Sequence, residues 1–85
     1  MAYYVKPSAV RDLKKLSAAV RKRVLDKLDF FCSSPDPLRF AKGMSNKRFG
    51  EYRFRVGDYR IIFDVERKTN AIIVLAVGNR KEIYR

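Results

Sequence analysis

The residues from Arg53 to Arg60 run Arg-Phe-Arg-Val-Gly-Asp-Tyr-Arg, so three guanidinium groups alternate with apolar side chains around a Gly-Asp pair. A two-residue loop with glycine first is the signal of a type II′ hairpin turn, and such a turn fixes the register of its strands. With Gly57 and Asp58 in the turn, Val56 faces Tyr59, Arg55 faces Arg60, Phe54 faces Ile61 and Arg53 faces Ile62. Directly opposed residues point to the same face. Arg53, Arg55 and Arg60 therefore share one face of the hairpin, and Tyr52, Phe54, Val56, Ile61 and Phe63 line the other. Like charges directly opposite each other are destabilising. The arginines can pair with a local carboxylate such as Asp64 or Glu51, or fan into water. Alternatively they form an anion cradle, since arginine binds phosphate bidentately and keeps its charge at any physiological pH. Arg80 and Tyr84 follow at the end of the chain. A tyrosine near a phosphate site stacks on an unstacked base or bonds a phosphate oxygen; the plain alternative for Tyr84 is an edge residue that covers core.

Other chemistries lack their residues. The chain has no histidine and a single cysteine, Cys32, so it offers no histidine acid–base pair, no intrachain disulfide and no histidine- or cysteine-rich zinc site. No cofactor or metal is expected, and neither of the glycine-rich phosphate-binding fingerprints occurs. Twenty Lys and Arg against nine acidic residues leave a net charge of +11, which repels itself in a compact domain and calls for a polyanion. Nucleic acid or ribosome comes first, an acidic protein partner second and a membrane surface third; added solubility is the plain alternative. No apolar run approaches the roughly 18 residues of a membrane span, and Pro7 breaks the N-terminus too early for a signal peptide, so a cytoplasmic protein is expected.

The elements that must carry these residues follow from hydropathy periods. Eighty-five residues predict one domain, 1–85. Residues 2–6 read as a strand, ended by Pro7, which suits the first turn of a helix. Ala9, Val10, Leu13 and Leu16 recur at helical spacing, Ser17 offers an N-cap, and Val20, Val24, Leu25, Leu28, Phe31 and Cys32 continue as a second apolar stripe. The two helices, near 8–16 and 18–32, form a hairpin, with Cys32 buried. Ser33-Ser34-Pro35-Asp36-Pro37 stops the second helix, and residues 38–48 read as a basic loop with Arg39, Lys42, Lys47 and Arg48. From Phe49 the period changes to two, and after the turn Arg67-Lys68-Thr69-Asn70 the unbroken apolar run from Ala71 to Val77 reads as an interior strand. Tyr3, Tyr4 and Tyr52 read as packing residues. The order β-α-α-β-β-β predicts an α+β fold, a mainly antiparallel sheet with a two-helix hairpin packed on one face.

The run Glu51-Tyr52-Arg53-Phe54-Arg55-Val56-Gly57-Asp58-Tyr59-Arg60-Ile61-Ile62-Phe63 resembles the signature hairpin of RelE-type toxins from type II toxin–antitoxin pairs. The terminal run Val77-Gly78-Asn79-Arg80-Lys81-Glu82-Ile83-Tyr84 resembles theirs as well, and the helical hairpin also fits, so the resemblance spans nearly the whole chain. It implies a microbial-ribonuclease-like RelE fold and an endoribonuclease that cuts messenger RNA in the ribosomal A site and so inhibits translation. Such enzymes need no metal: the 2′-hydroxyl attacks the adjacent phosphate, leaving a 2′,3′-cyclic phosphate and a free 5′-hydroxyl. The resemblance places basic catalytic positions on Arg53, Arg55, Arg60 and Arg80, and the family's C-terminal tyrosine on Tyr84.

On that reading Arg60 and Arg80 clamp the scissile phosphate, Arg55 stabilises the leaving 5′ oxygen, Arg53 holds a flanking phosphate and Tyr84 orients a nucleotide. Lys47 and Arg48 add RNA contacts, and Lys14, Lys15, Arg21, Lys22 and Lys27 on the helices grip ribosomal RNA. One departure bears on the chemistry. The best-known member has lysines where this chain has Arg53 and Arg55, and arginine effectively cannot serve as a base. Glu51 is one substitute and Glu82 another; otherwise catalysis rests on charge stabilisation and positioning. The implied partners are mRNA, the ribosome and a cognate antitoxin with an acidic toxin-binding segment. ParE-type toxins, which poison DNA gyrase, resemble the same architecture, and a basic RNA-binding module without catalysis is a further alternative.

Overall fold

Alternating apolar residues on either side of Gly57 and Asp58 produce the hairpin that the sequence implies. In the computed structural model, which describes residues 1–83, the chain folds as β1 (Tyr3–Val5), α1 (Pro7–Lys14), α2 (Ala18–Ser33), a 3-10 turn (Pro37–Phe40), β2 (Ala41–Gly43), β3 (Tyr52–Val56), β4 (Tyr59–Glu66) and β5 (Ala71–Asn79). The strands form one sheet in the order β1-β5-β4-β3-β2, with β1 parallel to β5 and the other neighbours antiparallel. β3 and β4 pair as Val56↔Tyr59, Arg55↔Arg60, Phe54↔Ile61 and Arg53↔Ile62, the expected register. Gly57 has φ +58, and among the described residues the only others with positive φ are Gly50 and Asn70, so the turn is left-handed at its first central position alone, as type II′ requires.

The helices start and stop where local chemistry directs. Pro7 occupies the first turn of α1, where its missing N–H costs nothing, and the Ser17 hydroxyl accepts the Val20 N–H at 3.2 Å to cap α2. Their apolar stripes bury Ala9, Leu13, Val24, Leu28, Phe31 and Cys32 against Phe54, Val56, Ile61, Phe63, Ile72 and Val74. Each fully buried aliphatic side chain contributes about 1.5–3 kcal/mol. Rings of Phe31, Phe54 and Phe63 stack at centroid distances of 4.6 and 4.4 Å, and Tyr52 continues the row at 5.6 Å from Phe63. Across the two layers the Tyr3 hydroxyl donates to Asp29 Oδ1 at 2.6 Å. That bond, with burial and the carboxylate's charge, pushes the Tyr3 pKa up to about 12. Tyr4 departs from expectation: it is 61% exposed, because alternate residues of a strand face opposite ways and β1 is covered on one side only.

The segment read as a basic loop is partly ordered. Its 3-10 turn leads into β2, whose Ala41, Lys42 and Gly43 pair with Phe54, Arg53 and Tyr52. The arginine face is not wholly polar either. Ile62 is 1% exposed on it, beneath a loop that also buries Met44, and the α carbon of Gly50 lies so close that a β carbon there would fall 2.6 Å from Ile62 Cγ2. β1 pairs with β5 only at Ile72–Val74; beyond a register shift opposite Ile62/Phe63, the edge of β5 is occupied by Ser8, which donates to the Leu75 carbonyl, and by Asp12, which accepts the Val77 N–H. Side chains of α1 thus stand in for a missing strand and blunt an edge that would otherwise pair with another chain. No helix among the described residues is long and apolar enough to cross a membrane.

Candidate functional site

The hairpin register brings the cations together. Arg55 sits opposite Arg60, Arg60 sits opposite Gly78 on β5, and Lys42 sits opposite Arg53. Phe40, Lys42, Arg53, Arg55 and Arg60 line a cleft of about 80 Å³ on this face, and no carboxylate is among them. Arg60 Nη1 lies 3.4 Å from the Gly57 carbonyl and 3.3 Å from that of Tyr59, which steadies its guanidinium at the hairpin tip. An Arg53 Nη1 to Met44 Sδ contact of 3.8 Å holds a second guanidinium against the neighbouring loop. Arg55 is exposed. These side chains stand on a rigid sheet, where their charge can be presented to an anion.

The local carboxylates are engaged elsewhere. Asp64 Oδ1 accepts the Glu51 N–H at 2.8 Å, and Glu51 Oε1 accepts the Val65 N–H at 3.0 Å, so the two acids stitch the start of β3 to β4. Glu51 Oε2 also pairs with Arg67 at 3.3 Å. The Val65 N–H above all holds the Glu51 pKa below the usual carboxylate range; burial opposes it, and the bond to Arg67 and the charges of Arg67 and Lys47 add to the lowering. A general base is tuned toward neutrality. Glu51 is held the other way, and it does not line the cleft.

The other expected residues are dispersed. Arg80 does not line the cleft; its backbone N–H donates to the Asp58 carbonyl at 2.9 Å, which places it at the hairpin tip. Tyr84 lies outside the described residues. Lys47 and Arg48 sit over the rings of Tyr52 and Phe49, in the loop at the end of β3 away from the Gly57 turn. Lys14, Lys15, Arg21 and Lys22 belong to the helical layer and its turn and do not line the cleft. Lys22 is committed to an exposed pair with Asp26 at 2.8 Å.

Two residues join the site that pattern reading left out. Lys42 and Phe40 enter through β2 and the 3-10 turn that precedes it. Arg23 reaches from α2 to the hairpin tip, where its guanidinium would lie 2.6 Å from a β carbon on Gly57, but it does not line the cleft. A larger cleft of about 590 Å³ opens between the α1–α2 turn and the end of β5, but its charged lining mixes Asp12, Lys15 and Glu82 and gathers no single sign.

Residues 3–84 match the family model of the ParE toxin of type II toxin–antitoxin system, parDE. Toxin RelG of Mycobacterium tuberculosis is 31% identical over 78 residues, covering 92% of this chain and 88% of that relative. Among solved structures, the toxin–antitoxin complex RelBE2 from Mycobacterium tuberculosis matches with a TM-score of 0.76 at 25% identity over 93% of this chain and 96% of that one. The archaeal RelE–RelB complex from Pyrococcus horikoshii matches with a TM-score of 0.71 at 27% identity over 95% and 96%.

Proposed function

The chain belongs to the RelE/ParE family, the toxins of type II toxin–antitoxin systems, and from that premise we propose that it is an endoribonuclease that cuts messenger RNA on the ribosome. The observation that carries this reading is the cleft of Lys42, Arg53, Arg55 and Arg60 on a rigid sheet, whose charged lining among the described residues is cationic throughout. A phosphodiester passing to a five-coordinate state gathers negative charge on its oxygens. Preorganised cationic donors aimed at that charge stabilise the transition state more than the ground state. Arg60, fixed at the tip, and Arg80 beside it hold the scissile phosphate; Arg55 faces the leaving 5′ oxygen; Arg53 takes a flanking phosphate; Tyr84 orients a nucleotide. The 2′-hydroxyl attacks in line, giving a 2′,3′-cyclic phosphate and a 5′-hydroxyl.

The same cations suit an acidic inhibitor. Two of the structural relatives are complexes of a toxin with its antitoxin, and we assign this chain a cognate antitoxin whose acidic segment covers the cleft. Primer extension on translating ribosomes tests the activity. New mRNA ends with the wild type, lost with Arg60→Ala, support it; intact mRNA with both proteins overturns it. The match to the ParE toxin favours a second reading, inhibition of DNA gyrase. A purified supercoiling assay separates the two: blocked supercoiling with intact mRNA selects the gyrase reading.

A further inference from the structure

We infer that Lys42 is the proton acceptor of the cleft, its Nζ taking the 2′-hydroxyl proton of the nucleotide whose phosphate the arginines hold. The inference rests on the ribonuclease reading and names the residue that reading lacks.

Three observations converge on it. β2 pairs Lys42 directly opposite Arg53, which puts both side chains on the face that carries Arg55 and Arg60. Of the described residues lining the cleft, three are arginines and one is a phenylalanine, so Lys42 supplies the only amine among them. A guanidinium effectively never gives up its proton, whereas a lysine amine can do so and then accept another. The nearby carboxylate that could have served, Glu51, is bound to the Val65 N–H and Arg67. Lys42 itself is exposed and makes no ion pair among the described residues, so its flexible four-carbon stem is free to reach a ribose.

The step balances. The neutral amine of Lys42 takes the proton from O2′ as the O2′–P bond forms. The P–O5′ bond breaks, and the 5′ oxygen leaves as an alkoxide screened by the guanidinium groups. That oxygen takes a proton from water, and the resulting hydroxide removes the proton from Lys42. The amine is restored and no water is consumed. Among the described residues the charged groups near Lys42 are the guanidinium groups of Arg53 and Arg55 on β3, Arg60 on β4 and Arg39 on the preceding 3-10 turn.

The test is single-turnover cleavage of ribosome-bound mRNA by the wild type, Lys42→Arg, Lys42→Ala and Lys42→Cys alkylated with 2-bromoethylamine. Alkylation rebuilds a lysine-like side chain whose amine sheds its proton more readily than lysine's, and Cys32, 4% exposed, is shielded from the reagent. Lys42→Arg keeps the charge and an arginine's affinity for phosphate. It is nevertheless expected to lose at least about 100-fold in rate, as is Lys42→Ala, within the usual range for general-base catalysis. The alkylated variant is expected to recover cleavage, with the rise of its pH–rate profile moved to lower pH. If the wild type cuts and Lys42→Arg cuts equally fast, or the alkylated variant recovers without a shifted profile, Lys42 is not the acceptor. If the wild type itself leaves mRNA intact, the ribonuclease reading falls first.

Discussion

An arginine placed directly opposite an arginine weakens a sheet, and Arg55 and Arg60 hold that arrangement across β3 and β4. The same two residues are assigned to the reacting phosphate, so stability and activity should move in opposite directions. Arg55→Thr is expected to raise the unfolding free energy by about 0.2–1 kcal/mol in urea titrations, since cross-strand pairs differ by roughly that amount. Arg60→Ala is expected to slow cleavage by about 10²–10³-fold, the usual loss on removing one preorganised donor from a transition state. Two pH-dependent contributions to stability can be assigned at the same scale. Glu51 has a depressed pKa in the folded chain, caused first by the Val65 N–H. Its contribution is complete above the unfolded value of about 4.3 and is lost as pH falls through the folded value. Acid unfolding of Glu51→Gln should accordingly be flatter than that of the wild type. Tyr3 has the opposite sign. With its pKa raised to about 12 by the bond to Asp29, it contributes fully below the unfolded value and loses that contribution as pH rises through the folded one. Tyr3→Phe should flatten the alkaline limb of a stability profile followed by circular dichroism.

Two glycines hold elements in conformations that other residues resist. Gly57, at φ +58, closes the β3–β4 turn, and alanine there should cost about 1–2 kcal/mol in urea unfolding. The Arg23 guanidinium that crowds the site is the far end of a flexible side chain and can swing away. Gly50→Ala should cost more, because at φ +150 the added carbon would meet the buried Ile62 at 2.6 Å and Leu75 at 3.2 Å. Equal losses at the two positions would contradict this ranking. The β3–β4 register was legible because a two-residue turn admits a single pairing, and the helices were legible because Pro7, Ser17 and the apolar stripes agree with one another. β2 was not. Ala41-Lys42-Gly43 holds no β-branched residue and becomes a strand only because β3 offers it an edge. Lys42 was hidden with it. The engagement of Glu51 was not legible either, because its carboxylate bonds a backbone group 14 residues away, a contact that leaves no trace in local spacing. Ile62 sits at an outward position of β4, and nothing in the alternation reveals the loop that covers it.

At the scale of the whole molecule the net charge of +11 sets the terms on which any polyanion binds. A single strand that engages four cations should lose affinity with salt at a log–log slope of about −3, and Arg53→Ala should reduce that slope by about 0.7. Filter binding over a salt series reads both values, and a slope near zero would show that the charge is not the binding determinant. The α+β sheet supplies the rigid platform, the helices supply its core, and the proposed chemistry lies on the sheet face that carries Lys42, Arg53, Arg55 and Arg60. The central claim is that this face promotes attack by a 2′-hydroxyl. Its most direct test is cleavage of ribosome-bound mRNA carrying one 2′-deoxynucleotide at the position cut in ordinary mRNA. The account predicts that the modified mRNA survives at that position, while the unmodified one yields a 2′,3′-cyclic phosphate and a 5′-hydroxyl. Cutting of the deoxy-substituted bond at the ordinary rate would contradict it.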